Sequence, residues 1–329
     1  MSDVSTLSAH EWDQRVNTTD QPERLMVLLE HLATPTAARR YLHAATASRS
    51  PHLISEALTR VEQHYGSEVT GARLMALGQL GQPELVLATR TSTPAGITPE
   101  NFEDACDQSL ARGIAARTLR QFDLANANLS VALFLSHALE MTYREQLIRI
   151  ELGQLLTTQG RPDPEMLEET MSMPVQTSAR RRAYGMYALA EACMAVGDYQ
   201  KAMNLLAAPS GPHPDLWAFA AAVLGLEQLR DADVQAGIYT DLAYAIWALR
   251  DGTEVELPTI SPNSPEAEYG TLLQAAALMR VRSMSRHARR KLEAPLNLTP
   301  DQRVWQLMGR IHAAALAERD DDVLRLGSH

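Results

Sequence analysis

Arginines supply the densest concentration of chemistry in this chain of 329 residues, in which Lys201 and Lys291 are the only lysines among 30 basic side chains. At helical spacing Arg282, Arg286, Arg289 and Arg290 fall within about 100° of arc and form one basic stripe that could hold phosphates or an acidic partner. No Phe, Tyr or Trp interleaves that stripe, so stacking of single-stranded nucleic acid is unsupported. A solvated face paired locally with Glu293 is the favoured reading. Arg180, Arg181 and Arg182 spread around a helix start, where cations oppose the dipole, which suggests that they face a partner or acidic neighbours. His31, His43 and His52 stand twelve and nine residues apart, not one helical turn, so a metal site is not expected. Asp320, Asp321 and Asp322 point three ways on a helix and read as a helix start. No phosphate-cradling loop, nucleophile elbow or zinc-protease motif is present, so no catalytic residues and no cofactor are expected. Cys106 and Cys193 lack metal-type neighbours and are too few for a disulfide framework, as in a reducing compartment.

The composition states which elements must position these residues. Forty acidic against thirty basic side chains leave a net charge of −10, which excludes a protein that coats nucleic acid or anionic membrane with most of its surface. Ala and Leu dominate, aromatics are 5%, and β-branched runs are scarce, so helices are expected throughout. Two stretches lack helical period, Thr91 to Pro99 and Asp251 to Pro265, and the second carries three prolines, as an exposed loop or linker would. The opening MSDVSTLSAHEWDQ lacks the basic start and apolar core of a signal peptide, and no later window holds 18 uninterrupted apolar residues. A cytoplasmic protein without a membrane partner is the expectation.

Internal repeats decide how so many helices are arranged. Tyr187 to Pro209 aligns without a gap on Leu273 to Pro295, pairing Ala190 with Ala276, Ala202 with Ala288, Leu206 with Leu292 and Pro209 with Pro295. A small residue recurs at Gly78, Gly113, Gly153, Ala190, Gly225, Ala276 and Gly309, at spacings of 35, 40, 37, 35, 51 and 33. The longest interval contains the proline-rich stretch, and without it the period returns to roughly 35. Such a period implies one helix hairpin per repeat. A lone hairpin cannot bury its apolar face, so neighbours must stack.

In these features the chain resembles the tetratricopeptide repeat (TPR) family. The best copy has Leu189, Ala190 and Cys193, then Gly197-Asp198-Tyr199 at the turn, Ala202 and Leu206, and Pro214 at the exit. Other copies have Gly113, Ala116, Phe122, Ala125, Leu129 and Ala132, then Leu224-Gly225, Val234 and Tyr244, and last Trp305, Met308-Gly309 and His312. The copy at Gly153 is degenerate, with Gly160 to Pro164 at its turn and Glu165 where a small residue belongs. The resemblance implies an all-α fold, a right-handed α-solenoid of about seven to eight stacked TPR-like helix hairpins. Its expected divisions are an N-terminal helical cap over 1–66, repeats over 67–250, the loop or linker at 251–265, and further repeats over 266–329. Within the cap, Ala44 and Pro51 to Gly66 extend the pattern upstream.

The resemblance also implies function. First helices of the family line a concave groove, which here would present Leu110, Ile114 and Arg117, then Leu147, Ile150 and Gln154, then Tyr184, Tyr187 and Glu191, then Phe219 and Leu226. That surface reads as largely apolar and aromatic, without the Lys, Arg and Asn set by which some members clamp a carboxylate. The expectation is a non-enzymatic scaffold or regulatory protein that binds a partner peptide or helix in this groove. The alternative expectation is a nucleic-acid or phosphate-binding accessory protein using the stripe at Arg282, Arg286, Arg289 and Arg290.

Overall fold

A computed structural model describes residues 7–19, 21–29, 31–65, 69–90, 99–175, 178–206, 214–224, 226 and 238–251. Of these, 82% are helical, and no strand occurs among them. The helices are α1 (Ala9–Thr18), α2 (Pro22–Leu28), α3 (Pro35–Ser48), α4 (Pro51–Tyr65), α5 (Thr70–Gln79), α6 (Pro83–Ala88) and α7 (Pro99–Thr118). They continue as α8 (Phe122–Ala138), α9 (Thr142–Thr158), α10 (Pro164–Met171), α11 (Ala179–Ala195), α12 (Tyr199–Leu206), α13 (Pro214–Leu224) and α14 (Ile238–Asp251). The expected loop at 251–265 and the repeats over 266–329 lie outside the described residues, except that Asp251 closes α14. Of the stretch from Thr91 to Pro99, Pro99 is described and opens α7.

The chain divides into two compact units, one of residues 1–155 and 167–185, the other of residues 156–166 and 186–329. The first holds α1 to α8, most of α9, and parts of α10 and α11. The region expected as a cap, α1 to α4, belongs to it, and α4 spans nearly the segment Pro51 to Gly66 that extends the repeat pattern upstream. Trp12, Leu42, Ile54, Ala57, Val61 and Ala72 share one buried cluster there. Cys106, Leu110, Ala116, Ala125, Leu129, Ala132, Ile148 and Leu155 form another.

One turn recurs. In the connections α5/α6, α7/α8, α8/α9, α9/α10 and α11/α12 a backbone N–H reaches the carbonyl five residues back: Gln82 to Leu77, Gln121 to Ala116, Met141 to Ser136, Arg161 to Leu156 and Asp198 to Cys193, at 2.8–3.1 Å. The residue before each donor is left-handed, namely Gly81, Arg120, Glu140, Gly160 and Gly197. This arrangement satisfies orphan carbonyls at a helix end and reverses the chain. At Gly197, with φ of 88°, the absence of Cβ removes the penalty of that conformation. Arg120 and Glu140 adopt it at a cost of about 1 kcal/mol, offset by the capped carbonyls.

Small residues let paired helices touch. A Cβ on Gly113 would stand 2.7 Å from Leu129 Cγ, and one on Gly153 would stand 2.7 Å from Leu167 Cγ. Ala44 and Ala190 are fully buried. Gly78 departs from this rule, because a Cβ there would meet nothing within 4 Å. Its glycine does not serve close packing.

Candidate functional site

A cavity lined by several ionisable side chains lies wholly within the first unit, with a volume of about 560 Å³. Its apolar wall is formed by Leu110 and Ile114 of α7, Leu147 of α9, Met75 of α5 and Val16 of α1. Four arginines, Arg49, Arg117, Arg144 and Arg181, line it together with Glu23, Glu151, His43 and Tyr184. The largely apolar surface expected from the repeat register therefore forms only part of this lining. The expectation counted inward positions of first helices and left out Arg49 at the C-cap of α3, Arg144 at the start of α9, and the residues of α1 and α2.

A buried polar network backs the cavity. On α3, Arg39 and His43 are one turn apart, and on α7 so are Glu103 and Asp107; the two helices face each other rung to rung. Arg39 Nη1 donates to Glu103 Oε2 at 3.5 Å, and His43 Nε2 lies 2.6 Å from Asp107 Oδ2. Trp12 Nε1 donates to His43 Nδ1 at 3.2 Å. An indole N–H can only donate, so Nδ1 is the bare nitrogen and the imidazole proton sits on Nε2, toward Asp107. Burial, then the positive charges of Arg144 and Arg39, hold His43 down to a pKa of about 3, against the opposing carboxylates of Glu103 and Asp13. Arg144 pairs with Asp107 and stands 3.7 Å from Asp13, which also accepts the Arg144 backbone N–H at 2.9 Å. Although His43 and Asp107 resemble two members of a catalytic relay, Trp12 occupies the only lone pair the ring could offer as a base.

A second chain of contacts crosses the α9 wall. Arg117 donates to Glu151 Oε2 at 2.8 Å, and the Tyr184 hydroxyl donates to Glu151 Oε1 at 2.6 Å and lies 2.7 Å from the Gln154 amide. Arg181 donates to the Tyr143 carbonyl at 2.6 Å and to the Asn17 side-chain oxygen. Asn17 is held in turn by Asp13 at 2.9 Å, and its carbonyl accepts from Ser178 N–H at 3.2 Å. These bonds fasten the end of α1 across the start of α11 and wall off that side of the cavity. Burial pulls the Arg181 pKa down to about 10, as do the neighbouring charges of Arg144 and Arg49, while Asp13 and Glu151 work the other way.

Of the residues expected in the groove, Leu147 and Tyr184 line this cavity with Leu110, Ile114 and Arg117. Ile150 is fully buried, and Gln154 is buried behind Tyr184. Tyr187, Glu191, Phe219 and Leu226 belong to the second unit. There Tyr187, half-buried, hydrogen-bonds Glu191, and burial first and that carboxylate second raise its hydroxyl above the usual range. The Tyr239 hydroxyl donates to Glu191 Oε1 at 3.3 Å, and the fully buried Phe219 ring packs on Tyr239 with centroids 5.6 Å apart. Leu226 is half-buried, and its N–H donates to the Ala221 carbonyl at 3.0 Å. Arg282, Arg286, Arg289 and Arg290 lie outside the described residues.

His31, His43 and His52 are not brought together: His43 is buried in the network, whereas His31 and His52 are exposed. No group of three or more metal-ligating side chains occurs among the described residues. Nor does any described helix have the length and apolarity to cross a membrane. Cys106 and Cys193 are both free and buried, and burial pushes the Cys106 thiol up to about 11. The network itself could have been sought in the sequence, since Arg39/His43 and Glu103/Asp107 are complementary i,i+4 pairs. Nothing in the linear order says that α3 and α7 face each other. Compared with known proteins, the chain matches no family model and no curated sequence.

Proposed function

We propose that this protein is a non-enzymatic, TPR-like α-solenoid that acts as a scaffold or regulator by binding a segment of a partner protein on the inner surface of its stacked hairpins. One observation carries the reading. Leu110, Leu147 and Tyr184 are each 37 residues apart in sequence, and all three line one cavity. Ile114 and Glu151 repeat the same interval one turn further along. Equivalent positions of consecutive first helices thus converge, as a repeat architecture requires of an inner surface. The shared turn geometry and the glycine contacts at Gly113 and Gly153 support the same arrangement. The mixture of an apolar wall with fixed arginines and a tyrosine suits a peptide or a short helix, whose apolar side chains and polar groups would both find partners.

The test is affinity capture with the full chain and with a variant carrying Ile114→Asp and Leu147→Asp, whose side chains are half-buried at the cavity, followed by identification of retained proteins. Circular dichroism would establish that the variant is folded. A partner retained by the native chain and lost by the folded variant is the expected outcome. A partner retained equally by both would refute a role for this surface.

A further inference from the structure

We propose that the cavity of the first unit takes a carboxylate carried on an apolar body, with the carboxylate between Arg49 and Arg181 and the body along Ile114 and Leu147. The proposal rests on the reading of this cavity as a binding surface and names the chemistry of what enters it. The charges lining the cavity are not balanced. Arg117 is engaged by Glu151, and Arg144 by Asp107 and Asp13. Arg181 donates to two neutral oxygens, of Tyr143 and Asn17. The Arg49 guanidinium has no partner among the described residues, although it lines the cavity from the left-handed C-cap of α3, at φ of 54°. Glu23 is the only lining carboxylate that no described arginine engages.

Two cations thus share one site with one rim carboxylate. Burial is the first cause that depresses the pKa of Arg181, and Arg144 and Arg49 add to it against the nearby carboxylates of Asp13 and Glu151, so Arg49 stands close enough to act on the same guanidinium. An arriving carboxylate would give Arg49 a charged partner and Arg181 a second one, and a planar guanidinium matches its two oxygens in bidentate geometry. The same lining offers the half-buried Ile114 and Leu147, so the remainder of the ligand must be apolar. The volume of about 560 Å³ lies within the range of small-ligand sites, about 300–1,000 Å³. This chemistry has two sources, a free amphipathic organic acid and an Asp or Glu flanked by apolar residues in a peptide.

The experiment has two arms, both on the full chain. Titration calorimetry compares 4-phenylbutyrate and octanoate with their uncharged amides, and a displayed library of random peptides is panned in parallel. Binding is expected in at least one arm, with acids at least about tenfold tighter than amides, or with an Asp or Glu whose change to Asn or Gln weakens the selected peptide about as much. Arg49→Gln alters an exposed side chain that leaves no partner stranded, so it should keep the melting temperature and weaken the same ligands about tenfold. The arm that responds identifies the source. Binders that need no carboxylate, or binding indifferent to Arg49→Gln, would overturn this proposal and leave the partner-segment reading intact. Acids that bind while no peptide is selected would support it and overturn that reading, and an absence of binders in both arms would overturn the two together.

Discussion

His43 should make the first unit acid-sensitive in a way that a single substitution removes. In the folded protein its pKa is held down to about 3, against an ordinary value of 6.5. The geometry agrees, because a proton on Nδ1 would face the N–H of Trp12. The unfolded chain therefore takes up a proton on this ring at a pH where the folded chain does not, and stability falls as pH drops below 6.5. The contribution is fully present above that value and declines by about 1.4 kcal/mol per pH unit until the folded pKa is reached. Between about pH 7.5 and 5 the loss comes to about 2 kcal/mol. In His43→Gln the amide can still donate to Asp107 but leaves the Trp12 N–H without its acceptor, at a cost of about 1–3 kcal/mol at neutral pH. Urea unfolding followed by circular dichroism should show native and variant curves well apart near pH 7.5 and nearly together near pH 5, because all other titrating groups are common to both. Parallel pH dependences across that window would refute the reasoning.

Gly113→Ala should destabilise by about 1–3 kcal/mol, since its Cβ would stand 2.7 Å from Leu129, whereas Gly78→Ala in open space should stabilise by about 0.5–1 kcal/mol. Thermal melts of the two variants should move in opposite directions. Arg144→Met leaves Asp107 and Asp13 buried without their shared cation, and a loss of about 3–5 kcal/mol is expected in denaturant unfolding. Both cysteines are buried, so Ellman's reagent should titrate neither thiol in the native protein and both after denaturation.

Local features were readable in the residues themselves, because helix propensity, capping and turn formation depend on neighbours in sequence. The all-α class follows from an Ala- and Leu-rich chain, and the turn at Gly197 from a glycine placed where a helix must reverse. Gly113 and Gly153 hold the recurring small position of the repeat, and there the helices do approach closely. Gly78 shows where period alone misleads, since the same residue type at the same register meets no neighbour.

The site divides along the same line. The resemblance to a repeat family implies one shared surface for Leu110, Ile114, Arg117, Leu147 and Tyr184, and these five residues line one cavity. Which of their neighbours would be charged could not be placed in that way. Arg49 joins them because α3 ends in a left-handed cap beside the cavity, and Arg181 because Asn17 and the Tyr143 carbonyl hold its guanidinium there. The rungs Arg39–Glu103 and His43–Asp107 each join residues 64 positions apart. Sequence determined the periodicity of each helix and hence the face each residue occupies. Only tertiary structure decided which faces meet, because the burial that drives packing is non-directional and the pairing of charges inside it depends on where distant helices come to rest.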